Sequence, residues 1–242
     1  MPKVALVTGG GRGLGRLLVD AFKEKGFDVA ACGRHEPGED FPGEFFVCDV
    51  REPDQVASMV DAVAARFSRI DVLVNNAGGT PYLPASEMSP QRFERVVSLN
   101  LVAPFYVSQR VNDLMQAQET GGIIINIGSA VYIRPSVNVS AYVAAKAGLI
   151  GLTKALSLEW APKVRVNQVT VGLLRTELVE QTYGKNVAAV EATVPMGRFA
   201  TGDDVAAACM VLTSPEMSYT TGAELLVDGG GEIPSWLLKV EQ

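Results

Sequence analysis

The residues best placed to do chemistry in this sequence are Tyr142 and Lys146, four positions apart in the segment YVAAK. On a helix, this spacing places the phenol and the ammonium on one face, about one turn apart. A phenol has an ordinary pKa of about 10 and exchanges protons poorly at neutral pH, but a nearby cation favours the phenolate and lowers that pKa. The pair therefore predicts acid–base chemistry near pH 7, although the same spacing is also unremarkable on an exposed helix.

The segment VTGGGRGLG, at positions 7–15, holds five glycines and Arg12. Glycines this close together indicate a backbone that takes positive φ or lies against a ligand. An apolar run precedes the segment and a helical pattern begins near Leu14, so the loop predicts a pyrophosphate site at a helix N-terminus. A glycine-rich turn without a ligand is the alternative. The spacing is T-G-x-x-x-G-x-G, through Thr8, Gly9, Gly13 and Gly15.

The second predicted strand ends in VAACGR and lacks the carboxylate that would accept the ribose 2′-hydroxyl of NAD. Gly33 takes that position and Arg34 follows it. Guanidinium groups bind phosphate oxygens through paired N–H groups. Arg12 and Arg34 therefore predict recognition of the 2′-phosphate of NADP(H), in preference to NAD(H). Each of them also has an alternative as a solvated surface arginine.

Short β-rich runs alternate with amphipathic segments along the chain. The predicted strands are Val4–Thr8, Phe27–Cys32, Glu44–Cys48, Asp71–Asn75, Gly122–Ile127, Val164–Val169 and Glu224–Val227. The predicted helices are Leu14–Lys25, Pro53–Phe67, Pro90–Met115, Ala141–Trp160 and Asp203–Thr213. Runs such as VALVT and IIINI are apolar at nearly every position, which is typical of parallel strands covered on both faces. We expect a single-domain, Rossmann-like α/β fold over residues 1–242, a doubly wound parallel sheet of about seven strands with helices on both faces.

The composition, 48% hydrophobic and 20% charged, is that of an ordinary globular protein. A net charge of −6 without any basic run argues against a nucleic-acid partner. No segment reaches the roughly 18 apolar residues that a membrane span needs, and the N-terminal apolar run is too short for a secretory signal. Three cysteines without CxxC spacing predict buried thiols in a reducing compartment. We expect a cytoplasmic protein with no membrane contact.

Four motifs together resemble the short-chain dehydrogenase/reductase family, including its 3-oxoacyl-ACP reductase-like members. They are the glycine loop, the segment NNAG at positions 75–78, Ser129, and Tyr142 with Lys146. Ser129 lies thirteen positions before Tyr142, as the family's geometry requires. The resemblance extends from about Lys3 to Gly230 and implies that the protein interconverts a ketone and a secondary alcohol by hydride transfer with a nicotinamide cofactor.

The resemblance implies a role for each matching residue. Tyr142 would give or take the substrate proton, and Ser129 would hydrogen-bond the same oxygen. Lys146 would hold the nicotinamide ribose and lower the Tyr142 pKa. Asn100 would support a proton relay to Lys146, with a buried amide that bends its helix as the alternative. The implied cofactor contacts are Gly9, Gly11, Arg12, Gly13, Leu14, Gly15, Arg34, Asp49, Val50, Asn76, Ala77, Gly78, Tyr142, Lys146, Gly172, Leu174 and Thr176.

The chain departs from the family's pattern after the sixth predicted strand, where Val171-Gly172 replaces the usual Pro-Gly and removes a φ restraint beside the nicotinamide. Residues 175–200 combine helical character with no matching strand, and we expect a substrate loop or lid there. Residues 231–242 form a C-terminal extension. Its tip at Trp236 is apolar and is not expected to lie in water, so we expect the extension to cover a neighbouring subunit's site.

Other functional classes fit less well. The single histidine, His35, lies in a polar loop and Ser129 lacks a G-x-S-x-G context, which excludes a Ser-His-Asp hydrolase. One histidine and scattered cysteines offer no metal ligand set. A non-catalytic NADP-binding sensor or scaffold of the same fold stays as the alternative.

The resemblance also implies a homodimer or homotetramer that pairs the long helices counted as the fourth and fifth in the family. Apolar positions wrap most of the helix predicted at Ala141–Trp160, which suits burial on two sides, or else deep burial in a monomer. The small-molecule substrate stays open among acyl thioester, steroid or terpenoid, and xenobiotic ketones.

Overall fold

The computed structural model of the protein describes residues 2–176 and 184–233. Its centre is a seven-stranded sheet in the order β3-β2-β1-β4-β5-β6-β7, and every strand pair is parallel. The strands are β1 (Val4–Thr8), β2 (Asp28–Gly33), β3 (Glu44–Val47), β4 (Val72–Asn75), β5 (Gly122–Ser129), β6 (Val164–Val171) and β7 (Glu224–Val227). The order reverses between β1 and β4, where ligands bind in folds of this type. The predicted doubly wound α/β sheet is confirmed.

Helices cover both faces of the sheet. They are α1 (Gly13–Glu24), α2 (Pro53–Phe67), α3 (Pro90–Val97), α4 (Ala103–Ala117), α5 (Ser140–Glu159), α6 (Val187–Glu191) and α7 (Gly202–Thr213). One apolar layer joins the sheet to α1 and α7, with Phe22 and Leu212 among its buried residues. The other joins the sheet to α2, α4 and α5, with Val60, Val111 and Leu156 among them. Two packed layers of this kind are what nearly continuous apolar strands require.

The central strands run further than the sequence predicts. β5 continues to Ser129 and β6 to Val171, and these two residues are paired across the sheet. Parallel pairing of the two strands therefore extends into the region of the expected site. Ser129 takes a fixed position as the last residue of a buried strand, rather than a place in a loop.

The predicted continuous helix Pro90–Met115 is wrong in one respect. A π-helical segment at Ser98–Val102 separates α3 from α4. Pro104 has no N–H to donate to the carbonyl four residues earlier, and the Asn100 side chain donates to the Val96 carbonyl oxygen at 2.8 Å. Both features disturb the regular α-helical ladder at this point, and π segments often occur at functional sites.

The described end of the segment predicted as a lid, residues 193–200, contacts the turn that follows β7 and the chain after β6. Leu174 bridges to Ala200, Met196 N donates to the Gly229 carbonyl oxygen at 3.2 Å, and Ile233 N donates to the Thr193 carbonyl oxygen at 2.7 Å. Residues 177–183 of the predicted lid lie outside the described residues, and so do residues 234–242 of the predicted C-terminal extension.

Candidate active site

The glycine loop between β1 and α1 turns through positive φ at Gly9 (+66°) and Gly13 (+55°). A Cβ at Gly15 would lie 2.1 Å from the Gly9 carbonyl oxygen, so only glycine lets α1 begin this close to the loop. Asn76, which follows β4, donates through Nδ2 to the Thr8 carbonyl oxygen at 3.0 Å. The loop is thereby fixed against the carboxyl ends of β1 and β4.

The N-terminus of α1 is uncapped. Arg12 occupies the N-cap position without a side-chain cap, and the first turn holds no acidic residue. By contrast, α7 begins with a capping box in which Thr201 and Asp204 each bond the other's backbone N–H. Free N–H groups without a carboxylate suit a bound anion. That the glycine loop binds a pyrophosphate stays a prediction.

Arg34, which follows β2, and Arg51, which follows β3, both line an open cleft of about 710 Å³. We call it the arginine cleft. It is lined by Arg34, Arg51, Glu52, Gln91, Glu94, Arg95 and Ser98. Arg51 donates to the half-buried carboxylate of Asp49, and this hydrogen bond, helped by the charge of Arg34, holds the Asp49 pKa below its ordinary value. Sequence reasoning missed Arg51. Its signal is its place two positions after Asp49, which directly follows a predicted strand.

Ser129 and Tyr142 meet at the carboxyl end of the sheet. Ser129 ends β5 and Tyr142 lies in the first turn of α5, and the Ser129 hydroxyl is near enough to act on the Tyr142 pKa. Burial raises the Tyr142 pKa above its ordinary value, the Ser129 hydroxyl lowers it, and nearby Tyr82 raises it further. The net upward direction means that the phenol carries its proton at neutral pH.

Lys146 is 4% exposed, and burial lowers its pKa to about 8. Its Nζ donates to the Ile127 carbonyl oxygen at 2.8 Å and lies 5.6 Å from the centre of the Tyr142 ring. That Lys146 lowers the Tyr142 pKa stays a prediction. The ammonium is directed at a backbone oxygen, and desolvation dominates the pKa of both groups.

Asn100 is fully buried in the π-helical segment. Its Oδ1 accepts from Gly79 N at 3.0 Å, and its Nδ2 donates to the Gly79 carbonyl oxygen at 2.8 Å. A Cβ at Gly78 would lie 2.8 Å from Asn100 Oδ1 and 3.7 Å from Lys146 Nζ. Asn100 is thus a buried amide in a distorted helix and also a neighbour of the Lys146 pocket, while its part in a proton relay stays a prediction.

The end of β6 lies beside Ser129. Gly172 N donates to the Val227 carbonyl oxygen at 3.0 Å, and a Cβ at Gly172 would lie 2.7 Å from the Asp228 side chain. Glycine is therefore required there whether proline or Val171 precedes it. Thr176 is exposed, and the contact predicted for it stays a prediction.

A buried polar network joins the strands and helices that carry the site. Asn75 Nδ2 donates to Ser108 Oγ at 2.8 Å and to Asn126 Oδ1 at 2.9 Å, and Asn126 Nδ2 donates to Thr153 Oγ1 at 2.9 Å. These bonds link β4, α4, β5 and α5. Sequence reasoning missed the network, although an asparagine inside the apolar run IIINI is a visible signal for it.

Arg134 joins two distant parts of the chain. It donates through Nη2 to Asp228 Oδ2 at 2.7 Å and through Nε to Glu232, and so ties the β5–α5 connection to the turn after β7. Tyr132 donates to Glu224 Oε1 at 2.6 Å in the same connection. Both contacts span more than ninety residues of chain, and no local pattern indicates them.

Comparison with known proteins gives matches over nearly the whole chain. The profile of the family described as Enoyl-(Acyl carrier protein) reductase matches residues 9–232. D-threitol dehydrogenase of Mycolicibacterium smegmatis is 36% identical over 240 residues, covering 94% of this chain and 92% of that protein. A 3-oxoacyl-[acyl-carrier-protein] reductase of Thermotoga maritima is 34% identical over 239 residues, covering 94% and 97%. The ligand-free structure of Thermoplasma acidophilum aldohexose dehydrogenase superposes with a TM-score of 0.89 at 34% identity, covering 95% and 93%.

The fold, the motifs and these matches together define an oxidoreductase. The chain belongs to the short-chain dehydrogenase/reductase family, whose members bind nicotinamide cofactors and act on alcohol and ketone groups. Within residues 2–176 and 184–233, no helix is long and apolar enough to cross a membrane. The same part of the chain holds no cluster of three or more side chains suited to bind a metal ion.

Proposed function

We propose that the protein interconverts a ketone and a secondary alcohol with NADP(H), with Tyr142 as the acid–base residue. The observation that carries this proposal is that the Ser129 and Tyr142 hydroxyl groups lie together at the carboxyl end of the sheet beside the buried Lys146. Two neighbouring hydroxyl groups suit a single carbonyl oxygen, because one can donate a proton while the other holds the oxygen in place. A charged residue buried without a carboxylate partner also favours function over packing, since such burial costs stability.

The residues present fit a nicotinamide dinucleotide. The glycine loop and the uncapped N-terminus of α1 would hold the pyrophosphate. Asp49 and Val50 would meet the adenine edge, and residues 76–78 with Lys146 would line the nicotinamide ribose. When bound, the nicotinamide supplies or accepts the hydride, while the protein supplies position and a proton.

Tyr142 suits the proton donor of a reduction. The phenol is neutral at pH 7, so a proton is available for an oxygen that gains negative charge. Burial makes the phenol a weaker acid, and the Ser129 hydroxyl acts in the opposite direction. Ser129 Oγ stabilises the same oxygen through a second hydrogen bond. Asn100 holds the backbone of Gly79 beside the Lys146 pocket, and so keeps the loop after β4 in position.

A preference for NADP(H) rests on the absence of a carboxylate at the end of β2. Gly33 lies where an acid would bind the 2′-hydroxyl, and Arg34 opens onto the arginine cleft. Arg12 is exposed at the N-cap of α1. Both guanidinium groups suit a phosphate better than a hydroxyl.

The relatives supply a first set of candidate substrates. Their names give D-threitol, an aldohexose and a 3-oxoacyl thioester as compounds on which those proteins act. We propose a substrate of one of these classes, which share a carbonyl or secondary alcohol carbon.

We also infer that copies of the chain pair through α4 and α5. The outer side of α5 exposes small residues at helical spacing, including Ala144, Ala147, Gly151 and Ala155. Small side chains let two helices approach closely, which supports the homodimer or homotetramer implied by the sequence.

Replacing Tyr142 with Phe tests the proposal. We expect turnover on the active member of the substrate panel to fall by about a hundredfold to ten-thousandfold, the usual contribution of a positioned acid or base. The dissociation constant of NADPH should stay within about twofold, because the phenol hydroxyl contributes to proton transfer more than to cofactor binding. Steady-state kinetics and fluorescence titration give the two quantities.

Tyr132→Phe is the matched control, since it removes the same hydroxyl from a tyrosine that bonds Glu224 instead of lying beside Ser129. That variant should keep its turnover. Wild-type turnover in Tyr142→Phe would contradict the assignment of the proton donor. Tight NADPH binding without activity on any ketone or alcohol would favour the non-catalytic sensor instead.

A further inference from the structure

Arg51 lies fixed on the arginine cleft by a fork of hydrogen bonds to Asp49. Its Nε donates to Asp49 Oδ1 at 2.9 Å and its Nη2 donates to Asp49 Oδ2. Asp49 is itself held, because its Oδ1 also accepts from Arg51 N at 3.1 Å and its own N donates to Gln55 Oε1 at 2.9 Å. The guanidinium group therefore has one preferred position before any ligand arrives.

The fork uses only one edge of the guanidinium group. A guanidinium carries five N–H donors, and the Asp49 carboxylate takes one from Nε and one from Nη2. Nη1 of Arg51 has no hydrogen-bond partner in the part of the chain that the structure describes. The edge formed by Nη1 and the second hydrogen of Nη2 thus stays available for a bidentate acceptor such as a phosphate.

Arg51 and Arg34 reach the cleft from different strands. Arg34 follows β2, Arg51 follows β3, and both line the same cavity. The charge of Arg34 also acts on the Asp49 carboxylate that Arg51 holds. Arg95, Glu52 and Glu94 line the cleft as well, so binding of an anion there would depend on short hydrogen bonds to the arginines more than on a general positive field.

We propose that Arg51 is a specificity-determining residue that joins Arg34 in binding the 2′-phosphate of NADP(H). This inference rests on the NADP(H) preference of the proposed function. Asp49 has two tasks in this arrangement, since it positions Arg51 and lies at the adenine edge. The ordered guanidinium loses little freedom on binding, which favours affinity.

Fluorescence titration of NADPH and NADH into wild type and Arg51→Gln tests the inference. We expect NADPH to bind about tenfold to a hundredfold more weakly to the variant, the range for hydrogen bonds to a charged group. NADH, which lacks the 2′-phosphate, should change by less than about twofold. Arg51→Lys keeps the charge without the fork and should recover part of the loss. Adenosine 2′,5′-bisphosphate, compared with adenosine 5′-monophosphate, should show the same contrast without the nicotinamide.

Arg69→Gln is the matched control. Arg69 forms the same kind of fork with Asp71, two positions away, but at the amino end of the sheet. Below the unfolding temperature of this variant, its affinities for NADPH and NADH should equal those of wild type.

The outcomes separate this inference from the proposed function. If wild type binds NADH as tightly as NADPH, the NADP(H) preference is wrong and the role of Arg51 is wrong with it. If wild type prefers NADPH but Arg51→Gln weakens both dinucleotides equally, or neither, then the preference stands and the role of Arg51 is overturned. Equal losses would mean that Arg51 acts on the adenine edge through Asp49.

Discussion

Two arginine–aspartate forks of similar local geometry lie at opposite ends of the sheet. Asp49 and Arg51 follow β3 at its carboxyl end, whereas Arg69 and Asp71 precede β4 at its amino end. In each fork, Nε and Nη2 of the arginine bond the two oxygens of a carboxylate two positions away. The spacing of the two residues is therefore the same in the two places, but their order is reversed, Asp-Val-Arg at 49–51 and Arg-Ile-Asp at 69–71.

The two forks differ in what else they touch. Asp71 is 8% exposed and also accepts from Val4 N at 2.8 Å, while Arg69 reaches Thr120 Oγ1 at 3.4 Å. That fork joins β1, β4 and the α4–β5 connection. The fork of Asp49 and Arg51 instead leaves one guanidinium edge open to the arginine cleft. The position of a motif along the sheet, rather than the motif itself, separates a structural pair from a candidate binding group.

The largest effect that we expect from this comparison is a loss of stability at the amino end. Asp71→Ala leaves the buried Val4 N–H and the partly buried Arg69 without their acceptor. The free energy of unfolding should fall by about 3 to 5 kcal/mol, as when one partner of a buried pair is removed. Denaturant titration measures this loss. NADPH affinity under native conditions should not change, and a weakened affinity would show that the amino end is not purely structural.

Lys146 extends the comparison to a buried cation without a carboxylate. Arg69 is compensated by Asp71, whereas Lys146 bonds only a backbone carbonyl oxygen among the described residues. Burial lowers the Lys146 pKa from 10.5 to about 8. Below pH 8 both the folded and unfolded chains carry the charge, so the folded protein bears the full desolvation cost, which disappears as the pH rises towards the unfolded value.

Lys146→Met should remove this pH dependence. The stability of wild type relative to the variant should increase by about 3 kcal/mol between pH 8 and pH 10.5, at 1.36 kcal/mol for each unit of pKa shift. Denaturant titrations of both proteins across that range give the difference directly and cancel the other groups that titrate there. A difference that stays constant with pH would mean that Lys146 is not desolvated.

The fold could be predicted from the sequence because apolar periodicity and glycine spacing are local. β1, β7 and α2 match their predicted limits, and every strand end agrees within two residues. The π-helical segment could not be predicted in the same way. It depends on Pro104 together with the Asn100 side chain, whose bonds reach Val96 and Gly79, and an apolar pattern does not record side-chain bonds to the backbone.

The candidate site was predictable in its residue types and less so in its electrostatics. The spacing of Tyr142 and Lys146 placed both on one helix side, but it could not reveal that Lys146 is directed at the Ile127 carbonyl oxygen. The direction of the Tyr142 pKa followed from burial, which is a property of the whole packed site. Arg51 escaped notice because an arginine two positions from an aspartate is common, and only the cleft distinguishes it from Arg69.

The smallest expected effect is the stability change at the carboxyl end. Asp49 and Arg51 are 18% and 29% exposed in their side chains, so water and salt screen the pair, and Asp49→Ala should cost about 1 kcal/mol or less. The Arg51 hydrogen bond lowers the Asp49 pKa, so this contribution is present above the ordinary carboxyl range and is lost as the pH falls through the lowered value. Denaturant titrations of wild type and variant at neutral and acid pH check the size and the direction.

The same variant should weaken NADPH binding, because Arg51 loses the carboxylate that fixes its position. Asp49→Ala is thus expected to weaken NADPH binding with little loss of stability. Asp71→Ala is expected to lower the stability and to leave NADPH affinity unchanged. If Asp49→Ala instead destabilises the chain as much as Asp71→Ala does and leaves NADPH affinity unchanged, then the end of the sheet does not decide the role of the fork. Both forks would then be structural, and the open guanidinium edge of Arg51 would have no ligand.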